Sequence, residues 1–506
     1  QARQRVYTVG EPTPLQRLNL PGIKAPVYAK REDLGPIRAY KWRGAFNCMA
    51  ALSQEARDKG IVAASAGNHA QGVALAARVL NCHATIFMPR STPEVKQTEV
   101  RRHGGRHVKI MLHGDCYDET AAAAHKYTET HGCTFVHPYD DLVTMAGQGT
   151  LADEVVMSGE GPFDRAYVAI GGGGLAASVA CWLKKFWPHI KVIGVEGIDQ
   201  ASMKTSIEQG RRVNLDYVDV FCDGTAVHIP GELTYPLCRE LVDEFVTVTN
   251  NEVCQAIRAM WESSRVVPEP SGAMSLAGFL KQWNRGEVKP EEKSFVVISG
   301  ANMDFTHLTQ IARQAGIGNH ETRYLRISMD SKRGQVLKYL RHIPQDTTLV
   351  DVQYGKTEGN TQHPVFGIAA SDEDLDTIRT TLKKKGIEFE DISEDDDVRF
   401  RMIHYQPELC QHPLFVHIEF PERAGAFLDF MERIADLASL CYFNYTYTGE
   451  RVGRALVGME FDTAEDRETI RKRMSAFSKN IIRSIREISP EAFQRIMGSR
   501  QLTGNH

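Results

Sequence analysis

From Val27 onward, short apolar runs alternate with stretches whose apolar residues recur every three to four positions. The runs IVAASAG, HATIFMP, HVKIMLHG, CTFVHP, RAYVAIGGGG, KVIGVEG and SFVVISG read as buried strands, several ending in glycine. Between them, segments such as NHAQGVALAARVL and LAASVACWLKKF carry helical spacing. Strand and helix taking turns predicts an α/β core around a parallel sheet, running to about residue 315. IRAYKWRGAFNCMAAL predicts an amphipathic helix with Lys41 in its first turn, where a lysine is ordinarily solvated.

RQAGIGNHETR then interrupts the pattern as a connector, and the chain beyond it repeats itself. RYLRISMDSKRGQVLKYL resembles PLFVHIEFPERAGAFLDFM, with Gly334 and Gly425 in matching places 91 residues apart. Ile327 and Ile418, Leu337 and Leu428, Tyr354 and Tyr445, and Gly367 and Gly458 keep the same offset. One α+β module is therefore expected twice: strand, turn, helix, strand, strand, helix, strand. The acidic stretch EDISEDDDVR between the copies reads as a solvated linker.

Composition changes this picture little. The 506 residues allow about three domains. A net charge of −4 gives no reason to expect nucleic acid, and no apolar run reaches the ~18 residues of a membrane span. The ten cysteines are scattered, with no CxxC pair, and are expected to be reduced packing residues of an intracellular protein. A start at Gln1, with neither methionine nor apolar signal segment, is expected of a trimmed or processed form.

Three polar clusters sit at the ends of expected strands. Gly171, Gly172, Gly173 and Gly174 follow YVAI and precede a helix, so their N–H groups can close on an anion at the helix N-terminus. No GxGxxG and no Walker lysine accompany them, so a nucleotide is not the favoured anion. Ser65, Asn68 and His69 lie in SAGNHAQG, at a corner of the kind where α/β proteins bind ligands. SGAN, Ser299 to Asn302, repeats that arrangement. A lysine, an anion cradle and polar strand ends together point to pyridoxal phosphate, which needs an amine, a phosphate site and a partner for its ring nitrogen. No metal site is expected, and the loop at Asp223 with GTAV reads as a plain loop.

KRED, AYKWRGA, ASAGNHAQG, GGGGL, EPSGA and SGAN stand in the order seen in biosynthetic threonine deaminases (threonine ammonia-lyases), and the chain resembles that family over nearly its whole length. The resemblance implies a fold-type II pyridoxal-phosphate domain, tryptophan synthase β-like, over residues 1–320, with a small subdomain at about 37–145. It implies two ACT-like regulatory domains at 321–405 and 406–506. By the same resemblance Lys41 forms the Schiff base and serves as the base for the α-proton. Asn68 bonds the cofactor's phenolic oxygen, the four glycines with Leu175 hold the phosphate, and Ser299 faces the ring nitrogen. Ser65, Ala66, Gly67 and His69 border the substrate, with Ala66 standing where related serine racemases place a second serine. Tyr40 and Trp42 are expected to shield Lys41 from water. The family usually has Ser-Phe before the lysine; Ala39 and Tyr40 replace them here, Arg38 stands where His is common, and these changes are expected at the mouth of the site.

The activity implied is deamination of L-threonine to 2-oxobutanoate and ammonia, the first step of isoleucine biosynthesis. Isoleucine and valine are the implied effectors, at a site marked by Gly334, Gly425, Phe443 and Tyr445. A homotetramer, and a cytoplasmic location or an organelle reached by a removed transit peptide, complete the expectation. The alternatives are a lyase for L-serine, a β-replacing enzyme, or a non-catalytic amino-acid sensor. An intact Lys41, Asn68 and Ser299 speak against the sensor, which needs no amine for a cofactor.

Overall fold

The computed structural model describes residues 1–305, 307–318, 322–330, 348–353, 361–363, 365–369, 372–393, 412–421, 430, 433–434, 436–446, 452–479 and 481–489. The chain forms two compact units, Gln1–Ala315 and Gly316–His506.

The first unit holds ten strands: β1 (Leu15–Leu18), β2 (Val27–Arg31), β3 (Ile61–Ala64), β4 (Ala84–Met88), β5 (Val108–Leu112), β6 (Thr134–Phe135), β7 (Arg165–Ala169), β8 (Lys191–Gly197), β9 (Glu244–Val248) and β10 (Ser294–Ile298). The alternating pattern predicted one parallel sheet; the strands form two. The larger has the order β1-β2-β10-β7-β8-β9 and the smaller β5-β4-β3-β6. Every pairing is parallel except that of β1, an antiparallel edge on β2. β1 and β9 are only partly buried and carry Gln, Arg, Glu and Thr, which hid them from a reading tuned to apolar runs.

Strand β10 shows why the central runs are apolar throughout. Val296 and Ile298 face one core with Phe279 and Met274, while Phe295 and Val297 face another with Val168 and Ala177. Helices cover both faces, so no position on the strand meets water. The small sheet is built the same way, with Ile61, Ala63 and Ile86 on one side and Val62, Ala64 and Phe87 on the other.

Five helices of this unit matter for the site: α1 (Lys41–Ala51), α2 (Asn68–Val79), α3 (Leu142–Gln148), α4 (Gly174–Phe186) and α5 (Pro270–Asn284). Helices α1 and α3 meet backbone to backbone. A Cβ on Gly147 would sit 2.5 Å from the Arg43 carbonyl oxygen and 2.7 Å from Gly44 Cα. Only glycine at the crossing lets α1 settle this deeply.

Among its described residues the second unit contains two four-stranded antiparallel sheets. The first joins β11 (Thr322–Ile327), β13 (Thr348–Gln353), β15 (Val365–Ala369) and β16 (Phe389–Asp391) in the order β13-β15-β11-β16, with β12 (Met329–Asp330) and β14 (Thr361–Gln362) paired separately. The second joins β17 (Leu414–Pro421), β18 (Ser439–Thr446), β19 (Val452–Glu460) and β20 (Ser484–Glu487) in the order β18-β19-β17-β20. Element for element these are one topology, each with a helix before its last strand: α6 (Asp372–Lys384) and α7 (Ala464–Ser475). The register repeats as well. Tyr324 pairs with Gly367 as Phe415 pairs with Gly458, and both sheets shift register between corresponding residues, Leu349/Asp351 and Leu440/Tyr442. Gly334, Gly425, Leu337, Leu428 and Tyr354 lie outside the described residues; Phe443 and Tyr445 fall on β18. Among the described residues no helix is long and apolar enough to cross a membrane.

Gly147→Ala should push α1 off α3 and destabilise the first unit by about 1–3 kcal/mol. A lower urea midpoint with an unchanged slope is the expected result.

Candidate active site

The residues before α1 lie along the loop that follows β10. Tyr40 N donates to the Ser299 carbonyl at 3.0 Å, Ala301 N donates to the Arg38 carbonyl at 2.8 Å, and Ala39 bridges Gly300. This short antiparallel stitch sets Lys41 beside the carboxyl end of the large sheet. Ala39 is fully buried there, and a Cβ on Gly300 would lie 3.0 Å from its methyl group. Of the three substitutions expected at the mouth, only Arg38 is exposed; Ala39 is internal because the stitch turns it inward.

The Lys41 amine is partly buried and donates to the Pro138 carbonyl at 2.8 Å. The rings of Tyr40 and Tyr139 lie with their centroids 5.3 and 5.9 Å from it. Burial pushes its pKa down to about 8, because a charge in apolar surroundings has lost its water. Trp42 does not share in this. It is fully buried on another side of α1, packed with Val6, Ile37 and Leu75. Tyr139 takes the place that the sequence reading gave to Trp42.

Behind Lys41, helix α1 is held by a buried cluster of four charges. Arg43 Nε donates to Glu32 Oε2 at 2.7 Å and Arg43 Nη2 donates to Glu154 Oε2 at 3.0 Å. Lys30 pairs with Glu154 and also donates to the Thr13 carbonyl at 2.5 Å. Lys30, Glu32 and Arg43 are all fully buried. Lys30 and Glu32 belong to the KRED run, yet nothing in the sequence pairs them with Arg43 and Glu154.

Strand β3 leads through Ser65, Ala66 and Gly67 into α2. Ser65 Oγ accepts from Gly67 N at 3.2 Å, and Ala66 is buried. His69 is buried, and its Nε2–H donates to the Val136 carbonyl at 2.9 Å, which leaves Nδ1 as a buried lone pair without a protein partner. Burial first, and the Lys41 charge second, hold its pKa down to about 3, so the ring is neutral. His137 is neutral for the same leading reason, at about 4, and its Nδ1 accepts from Asp140 N at 2.8 Å. That bond shapes the turn that aims Pro138 at Lys41.

The glycine loop follows β7. Gly173 has φ +95°, the left-handed region. A Cβ on Gly171 would meet the Thr225 carbonyl oxygen at 2.9 Å, one on Gly173 would meet Met203 at 2.5 Å, and one on Gly174 the Tyr139 carbonyl oxygen at 2.7 Å. The loop threads between these walls into α4, whose first N–H groups have no partner within the helix. Leu175 is buried in α4's first turn. Ser299 is buried, and its hydroxyl lies 3.4 Å from the Ser271 carbonyl.

Two site residues escaped the sequence reading. Glu269, at the start of α5, accepts from Asn68 Nδ2 at 2.7 Å. Asn302 Nδ2 donates to Asn68 Oδ1 at 2.7 Å. Both lie in quoted motifs, EPSGA and SGAN, but only the fold brings them onto Asn68. The loop at Asp223 forms an ion pair with Lys96 at 2.6 Å. Among the described residues no group of three or more His, Cys, Asp and Glu side chains is set to hold a metal ion.

Comparison with known proteins agrees with this geometry. The pyridoxal-phosphate dependent enzyme family matches residues 6–300, and the C-terminal regulatory domain of threonine dehydratase matches residues 410–484. The chain is 37% identical over 472 residues to the L-threonine dehydratase biosynthetic IlvA of Burkholderia multivorans, covering 92% of each. It is 35% identical over 463 residues to the mitochondrial threonine dehydratase of Schizosaccharomyces pombe, covering 90% of this chain and 76% of that one. The solved processed form of threonine deaminase isoform 2 from Solanum lycopersicum aligns at a TM-score of 0.59 and 40% identity, over 62% of this chain and 85% of that one. The site has what pyridoxal phosphate requires: an amine held near neutrality, a glycine cradle at a helix N-terminus, and a buried hydroxyl on the adjoining strand end.

Arg43→Met leaves Glu32 and Glu154 buried with a single cation between them. It should cost about 3–5 kcal/mol of stability, read as a fall in the urea midpoint.

Proposed function

The chain belongs to the biosynthetic threonine dehydratase family of pyridoxal-phosphate dependent enzymes, and from that footing we propose that it deaminates L-threonine to 2-oxobutanoate and ammonia, the step that commits threonine carbon to isoleucine. The observation that carries this reading is the Lys41 amine, set between the Tyr40 and Tyr139 rings, with Tyr139 in turn packed against the glycine loop that opens α4.

Bound pyridoxal phosphate supplies an electron sink for the negative charge that develops at the substrate's α-carbon. Lys41 would hold the cofactor, and its amine is the group placed to take the α-proton. A pKa near 8 leaves part of the amine neutral, and able to accept that proton, at neutral pH. Tyr40 and Tyr139 exclude water from around it. The N–H groups of Gly171 to Gly174, with Leu175 following, hold the phosphate, and the α4 dipole favours its charge. Asn68 would hold the cofactor's phenolic oxygen, and Ser299 would offer its ring nitrogen a neutral hydroxyl rather than a charged partner.

The substrate carboxylate is met by Ser65, Gly67 and the N-terminus of α2. His69 has no part in this as a cation, because its ring is neutral; it holds the corner through Val136. Ala66 has no proton to give or take, which supports elimination over racemisation. L-Serine is the second substrate by the same chemistry, and the buried methyl of Ala39, in place of a hydroxyl, bears on which is preferred.

The second unit is proposed as a regulatory tandem of ACT-like domains, with catalysis confined to about residues 1–320. L-Isoleucine is its inhibitor, L-valine opposes it, and the enzyme works as a homotetramer. The matched regulatory domain at 410–484 and the repeated register of the two sheets support this. Phe443 and Tyr445 on β18, with Gly334 and Gly425, are the proposed effector residues. An effector acts only through unequal affinity for two conformations.

Lys41→Ala should lose both the protein-linked cofactor absorbance and keto-acid formation from threonine while remaining folded. A variant that keeps both would remove Lys41 from its role. The pH dependence of kcat should rise through a limb near 8, since only the neutral amine accepts the proton; a flat profile from pH 6.5 to 9 contradicts this. Isoleucine should raise the threonine concentration needed by the whole chain and leave a form ending near residue 320 unaffected. Equal inhibition of both forms would place the effector elsewhere.

A further inference from the structure

Asn68 carries one amide on which two side chains converge, Glu269 and Asn302. An amide offers two N–H donors and one acceptor oxygen, and its two orientations differ only in which group faces where. Here the orientation is dictated from a backbone carbonyl, a group that can only accept. Asn302 Nδ2 donates to the Ile37 carbonyl at 2.6 Å. The same nitrogen donates to Asn68 Oδ1 at 2.7 Å and lies 3.3 Å from Gln71 Oε1. With its oxygen so occupied, Asn68 can turn only its nitrogen toward Glu269, whose Oε1 lies at 2.7 Å. The reversed amide would set two donors against each other at Asn302, whose own orientation the Ile37 carbonyl fixes.

We propose that Glu269 and Asn302 are positioning residues that lock the Asn68 amide, leaving a single N–H free to meet the cofactor's phenolic oxygen. This rests on the reading of Asn68 given above and adds to it the groups that act through it. The lock is rigid at both ends. Glu269 is buried, opens α5, and its backbone N donates to the Gly300 carbonyl at 3.1 Å. A Cβ on Gly300 would press on the Glu269 carboxyl carbon at 3.1 Å, so glycine is required for the carboxyl to lie there. Ile37 belongs to the segment stitched onto the β10 loop, the segment that also delivers Lys41. One stretch of backbone thus sets both the amine and, through Asn302, the polarity of the amide.

Burial, with the Asp223 charge second, pushes the Glu269 carboxyl up to about 8, while its bond from Asn68 opposes the shift. The acid is therefore mostly neutral at pH 7. It still accepts through its carbonyl oxygen and puts no full negative charge beside the phenolic oxygen. Glutamine reproduces that acceptor and that neutrality.

The test uses the holoenzyme. Glu269→Gln, Glu269→Leu and Asn302→Ala are made alone and combined with Asn68→Ala. The absorption maximum of the bound cofactor, and the affinity of the apoenzyme for pyridoxal phosphate, are measured beside kcat. Asn68→Ala should displace the absorption maximum. Glu269→Leu and Asn302→Ala should displace it in the same direction and lower cofactor affinity and kcat by about tenfold. Neither should add to the spectral change once Asn68→Ala is present, and Glu269→Gln should restore the wild-type spectrum. The inference is overturned if Glu269→Leu and Asn302→Ala leave the maximum in place, if either shifts it equally without Asn68, or if glutamine fails to restore it. Should Glu269→Leu not fold, Asn302→Ala decides the same question from the oxygen side of the amide. An Asn68→Ala variant with an unmoved maximum would instead withdraw the cofactor contact of Asn68, and this inference with it.

Discussion

The first unit depends on the buried charge cluster that fixes the start of α1. Two cations, Lys30 and Arg43, and two carboxylates, Glu32 and Glu154, meet where water does not reach. Such a group adds little net stability, since the desolvation of four ions offsets most of their attraction. What it gives is uniqueness. Arg43 spends its guanidinium on both carboxylates and on Thr150, so α1 cannot rotate or slide without stranding a charge. Arg43 is two residues from Lys41, whose amine inherits that fixity. The glycine crossing of α1 with α3 and the stitch of residues 38–40 to the β10 loop complete its placement.

Burial also sets the chemistry of the site. It brings Lys41 down to about 8, holds His69 and His137 neutral, and brings Glu269 up to about 8. At neutral pH His69 and His137 are uncharged and Glu269 is mostly the neutral acid, which leaves the Lys41 amine as the group there that can carry charge. The N-terminus of α4, reached by a glycine loop, is suited to an anion.

The second unit shows duplication at the level of hydrogen bonds. The two sheets share strand order, the pairing of an aromatic residue with a glycine, and a register shift between β13 and β15 that recurs between β18 and β19. A register shift has no sequence signature of its own. Its repetition at the offset of the matched residues ties the two modules together more tightly than residue likeness alone.

Much of this was legible in the sequence. Strands buried on both faces are continuous apolar runs, so β3, β4, β7, β8 and β10 stood out, and the glycine and serine motifs lie at carboxyl ends of these strands. The 91-residue repeat was readable because equivalent cores need equivalent residues. Other features were not legible, for physical reasons. The edge strands β1 and β9 are half-solvated and carry polar residues, and the division of the strands into two sheets is a matter of pairing partners. Trp42 sits two positions after Tyr40 yet packs away from the site, because successive helical residues point about 100° apart. The Pro138 carbonyl on Lys41, the Glu154 carboxylate on Arg43, and Glu269 and Asn302 on Asn68 are contacts between segments tens to hundreds of residues apart. Residue types and local spacing determined which groups could do the chemistry. Only the tertiary structure decided which of them touch, because hydrogen bonding and burial act through space and leave no local pattern along the chain.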